Sequence, residues 1–84
     1  MSSMQICSAL QIRMARAALG WTLSDASEKS GVSIGTIRRA ETNDGFQVLT
    51  EVNRKAIKSA FTEAGIVFTG DADAPGVQLI IKTT

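Results

Sequence analysis

Between Thr22 and Glu41, two segments with helix-start and helix-stop signals are separated only by Gly31, Val32 and Ser33. So short a junction forces the two helices to cross steeply and to touch where they meet. Thr22 is the N-cap of the first, Asp25 sits in its first turn where the helix dipole favours an anion, and Gly31 stops it. Ser33 caps the second, predicted over 34–41. Close crossing needs small side chains on the first helix, and Ala26, Ser27 and Ser30 are small. The reversal needs a residue tolerant of positive φ, a place that Gly31 fills. Ile37 and Ala40 form the inward pair of the second helix and Val32 buries the turn, which leaves Gly35, Arg38 and Arg39 facing away.

The rest of the chain supplies partners for this pair. A helix is predicted over 8–19, with Ser8 as N-cap, Gln11 completing a capping box and Gly20 as the stop. Ile12, Ala15 and Leu19 make one apolar stripe, with Arg16 beside it. Leu10, Met14 and Ala17 make a second stripe, expected to pack on the C-terminal tail or on a partner subunit. Residues 42–46 read as turn chemistry. An amphipathic helix then starts at Leu49 or Thr50 and reaches Ala64, with Gly65 as its stop. Leu49, Val52, Ala56, Ile57, Ala60, Phe61 and Ala64 fall on its apolar side, and Glu51, Arg54, Lys55, Lys58 and Thr62 on the other. Asn53 intrudes near the start, where it is read as capping the preceding turn. Residues 66–69 and 77–82 are rich in β-branched side chains and flank a turn over 70–76, which predicts a β-hairpin. The expected fold is mostly α: a single domain over 1–84, with four helices in 8–65 and a C-terminal hairpin in 66–82.

Composition removes several classes of function. The chain has 84 residues and a formal net charge of +1, too neutral for a polycation that binds anions by bulk field. It has no histidine, which removes the commonest general base and metal ligand and the usual partner of a Ser or Cys nucleophile. Cys7 is the only cysteine, so neither an internal disulfide nor a CxxC zinc site can form, and a reducing cytoplasm is the expected location. Arg13 and Arg16 interrupt any signal-peptide core in 1–21, and no apolar run is long enough to span a membrane. Asp71 and Asp73 sit in a Pro-Gly turn and read as turn residues rather than as a metal loop. No enzyme constellation, cofactor site or metal site is visible.

Over about residues 10–69 the chain resembles the lambda-repressor/Cro-like (XRE-type) helix-turn-helix family, and the likeness is weakest after Gly70. Ile12-Arg13-x-x-Arg16-x-x-Leu19-Gly20-Trp21-Thr22 looks like its first helix and the approach to the second. Gly31-Val32-Ser33-x-x-Thr36-Ile37-x-x-x-Glu41 looks like its turn and recognition helix, and residues 49–68 are similar to the tail of short members. Ala26 and Ser27 depart from the more usual Leu-Ala, and the loop after Glu41 lacks the family's frequent basic residues. The resemblance implies that the helix over 33–41 enters the major groove of double-stranded DNA while the preceding helix crosses the backbone. It places Ile34, Gly35 and Arg39, with Arg38 alongside, at base-facing positions. Thr22, Leu23 and Asn43, with Lys29, Ser33 and Thr36, fall at positions that meet the phosphate backbone. Arg16 and Glu41 match a partly buried ion pair that braces the first helix against the third.

Side-chain chemistry suits these places. A guanidinium at Arg39 can bind guanine O6 and N7 together, and Ile34 can meet a thymine methyl. Gly35 costs a helix interior up to ~1 kcal/mol against Ala, and its missing side chain would let the helix approach the bases. One such domain makes few phosphate contacts, so a homodimer on two half-sites is expected, with the hairpin as its candidate surface. Val77, Leu79 and Ile81 alternate there with Gln78, Ile80 and Lys82, which leaves both faces partly apolar. The sequence therefore reads as a DNA-binding transcriptional regulator, a repressor that occludes its operator. The alternative is a protein-interaction module, such as an antitoxin with a protein partner.

Overall fold

The computed structural model describes residues 8–70 and 73–81, so the expectations that rest on Cys7, Asp71 and Lys82 fall outside the described residues. Local hydrogen bonds set each helix start. Ser8 Oγ accepts the Gln11 N–H at 3.3 Å while the Gln11 side-chain oxygen accepts the Ser8 N–H at 3.0 Å, which opens α1 (Ala9–Leu19). The same reciprocal box opens α2 (Leu23–Ser30). Thr22 Oγ1 accepts the Asp25 N–H at 3.0 Å, and the Asp25 carboxylate accepts the Thr22 N–H at 2.9 Å. Ser33 caps α3 (Ile34–Ala40), with Glu41 at its C-terminal end. At the junction of α2 and α3, Gly31 takes φ 76°, a left-handed conformation that a β-carbon would strain.

The segment after α3 differs from the expected plain turn. Gly45–Val48 forms a 3-10 helix that drives Phe46 into the core at 3% exposure. α4 (Glu51–Glu63) follows, capped by Thr50, whose Oγ1 accepts the Asn53 N–H at 3.2 Å. Asn53 therefore gives its backbone to the cap and is not itself the capping residue. β1 (Ile66–Thr69) and β2 (Gly76–Leu79) pair antiparallel, with Ile66 opposite Leu79 and Thr69 opposite Gly76. Mostly helical with a C-terminal two-stranded hairpin, the architecture is the one the periodicity predicts.

One cluster of buried side chains draws on every helix and on the hairpin. Ile12 and Ala15 meet Ala26, Val32, Ile37, Ala40, Phe46, Leu49, Ile57, Phe61, Ile66 and Phe68. Trp21, in the link before α2, stacks on Phe61 with ring centroids 5.2 Å apart, and Phe61 meets Phe68 edge-on at 6.5 Å. One expectation fails at the margin of this core. Val52, placed on the apolar side of α4, is 76% exposed, because the buried positions Ile57, Ala60 and Phe61 lie in later turns, where α2 and β1 pack. Among the described residues the tail leaves the second stripe of α1 largely open, with Leu10 45% exposed, Ala17 exposed and Met14 half-buried, so of its two expected partners the second subunit stays as an expectation. The hairpin meets α1 instead at Gln11, on the flank of the first stripe, where Nε2 donates to Thr69 O at 3.1 Å and to Gly76 O at 2.9 Å.

Candidate nucleic-acid interface

Helix α3 is held from behind and bare in front. Ile37 and Ala40 are fully buried, and the principal neighbours of the helix are α2 and the 3-10 helix rather than α4 or the hairpin. On the opposite side Ile34, Gly35, Arg38 and Arg39 are exposed. Neither arginine engages a carboxylate among the described residues. Both lie in the last turn of α3, where the helix dipole favours a cation, so the face combines an apolar start, Ile34 beside Gly35, with a cationic end.

The orientation of that face is fixed by charge and by backbone fit. Arg16 on α1 grips Glu41 with two parallel hydrogen bonds, Nε to Oε2 at 2.7 Å and Nη2 to Oε1 at 2.9 Å. A third bond from Nη1 reaches the Trp21 carbonyl at 3.1 Å, so one guanidinium ties together α1, the approach to α2 and the end of α3. The hydrogen bonds that Arg16 donates to Glu41 raise its pKa above the ordinary value; desolvation opposes this, and the attraction of the carboxylate adds to it. Gly45 supplies the second restraint. A Cβ there would collide with the Arg39 carbonyl, so the 3-10 helix can seat under the end of α3 only with glycine at that position. The sequence reading missed Gly45, although a glycine directly after Asn43 and Asp44 is a visible sign of a tight backbone approach.

Around this helix lie the residues placed at phosphate-facing positions. Thr22, Lys29, Ser33 and Asn43 are exposed. Asn43 holds a left-handed φ of 49°, which an asparagine tolerates. Thr36 is half-buried, and its Oγ1 accepts a hydrogen bond from the Ser33 hydroxyl at 2.9 Å. The Leu23 side chain packs against the core, so the polar group it offers is the backbone N–H in the first turn of α2. Arg54 does not belong to a solvated basic face: it donates to the Gln47 and Leu49 carbonyls at 3.0 and 2.7 Å and thereby closes the 3-10 helix. Among the described residues no cluster of acidic, cysteine or histidine side chains could hold a metal ion, and no helix is long and apolar enough to cross a membrane.

The helix-turn-helix family model matches residues 12–45, from the first buried isoleucine of α1 to the glycine that seats the 3-10 helix. No curated protein and no solved structure matches the chain.

Proposed function

With residues 12–45 forming a helix-turn-helix domain of the lambda repressor-like, XRE type, a DNA-binding fold of transcription regulators, we propose that the chain is a repressor that binds its operator as a homodimer. In this reading α3 lies in the major groove, where Arg39 and Arg38 address guanine edges and Ile34 and Gly35 meet the apolar part of the groove. Thr22, the Leu23 amide, Lys29, Ser33, Thr36 and Asn43 hold the flanking phosphates and set the register. The observation that carries the reading is the exposed face of α3, braced by Ile37, Ala40 and the Arg16–Glu41 pair, with Ile34, Gly35, Arg38 and Arg39 left open to solvent among the described residues. Bound at an operator, such a dimer excludes polymerase by occupying its site, with no effector required.

Selection of duplexes from a random pool, followed by gel-shift titration at increasing salt, tests this. Affinity for the selected duplex should fall steeply with salt, as phosphate contacts require. Arg39→Ala should weaken that duplex by ~1–3 kcal/mol with an unchanged melting temperature. Full operator affinity in Arg39→Ala would remove Arg39 from base reading. The competing reading, a protein-interaction module such as an antitoxin, is favoured by exposed apolar side chains away from α3: Leu10, Val48 and Val52. Failure to select any duplex would favour it.

A further inference from the structure

Five of the seven glycines are accounted for by the chain's own backbone and a sixth by a neighbouring side chain. Gly20, Gly31, Gly65 and Gly70 hold positive φ values, a Cβ at Gly45 would collide with the Arg39 carbonyl, and one at Gly76 would crowd the Thr69 hydroxyl. Gly35 is the exception. It sits inside α3 with helical geometry, and a Cβ built on it meets no described atom within 4 Å. Glycine at an exposed, unobstructed helix position weakens the helix, so the fold would be better served by alanine. Its neighbours on the same exposed surface are Ile34, an isoleucine 39% open to solvent at the helix start, and the two free-facing arginines.

Building on the DNA-reading role of α3 proposed above, we propose that Gly35 is a specificity-determining clearance. Without a side chain, the first turn of α3 seats directly against the base-pair edges. Ile34 then reaches the 5-methyl group of a thymine, so one T·A pair in each half-site is selected by an apolar contact. Stability of α3 is given up for this fit. The absent β-carbon thus acts together with the Ile34 side chain, while the arginines read guanine further along the helix.

The test uses the full chain and the duplex it selects from a random pool, with each thymine replaced in turn by deoxyuridine, which lacks only the methyl group. One replacement per half-site should weaken the wild-type protein about fourfold, the worth of one buried methyl. Gly35→Ala should melt several degrees higher than wild type. It should bind the selected duplex at least tenfold more weakly and be indifferent to the sensitive methyl. The clearance is refuted if Gly35→Ala binds as tightly as wild type, or if no deoxyuridine replacement weakens binding. Arg39→Ala separates the two levels. If it weakens binding while Gly35→Ala does not, groove reading stands and only the clearance falls. If neither variant matters, or no duplex is selected, both fall together.

Discussion

Arg16 and Glu41 show how much a single contact governs at the residue scale. Glu41 is 7% exposed and accepts two side-chain hydrogen bonds from Arg16, so removing the arginine strands a carboxylate in a nearly dry site. Arg16→Ala should therefore lower stability by ~3 kcal/mol in urea denaturation. A loss below ~1 kcal/mol would class the pair with exposed surface bridges. Because the Arg16 pKa is raised in the folded state, its stabilisation is fully present below the ordinary guanidinium value and fades only in stronger alkali. Between pH 7 and 9 the arginine's share should be flat. Weak DNA binding by Arg16→Ala must be judged against its folded fraction, since the pair aims α3 without belonging to its exposed face. The caps were legible from sequence at this scale because Ser8, Thr22 and Ser33 bond only three residues ahead, a reach that a linear reading covers.

Among elements, the hairpin hangs on a residue that the sequence assigned only to a cap. Gln11 is fully buried and uses both ends of its amide: the oxygen accepts from Ser8, and Nε2 donates to the Thr69 and Gly76 carbonyls at the loop end of the hairpin. A polar residue four before Ala15, on the flank of an apolar stripe, was the available signal. Gln11→Ala leaves two carbonyls without this donor and should cost ~2–3 kcal/mol. Faster hydrogen exchange should concentrate in β1 and β2 and spare α2 and α3. Uniform acceleration through the chain would show that Gln11 supports the whole core rather than this junction. The 3-10 helix was hidden for a related reason. Phe46 lies in a run of turn-forming residues, and its burial depends on Gly45 fitting under the Arg39 carbonyl, a contact between segments that no periodicity reports.

For the whole molecule, the exposed apolar residues decide what is left to explain. Ile80 and Ile81 follow β2 directly and are 54% and 74% exposed, and among the described residues the outer edge of β2 has no strand partner. In the proposed homodimer two such edges pair across a two-fold axis and set the recognition helices one helical turn of DNA apart, about 34 Å. Sedimentation of the free protein should give a dimer, and Ile81→Asp should shift it to monomer while leaving the melt of the helical part intact. A monomer at high concentration in the wild type would overturn this arrangement and move attention to Leu10, Val48 and Val52.

The four α-helices, the hairpin, their order and the outward side of α3 were set by the sequence alone, because caps, glycine stops and apolar spacing act over a single turn of chain. Tertiary structure alone decided that Gln11 would join α1 to the hairpin, that Phe46 would enter the core and that Val52 and Leu10 would stay outside it. Each of these depends on where a distant segment comes to rest, and so on shape rather than on local preference.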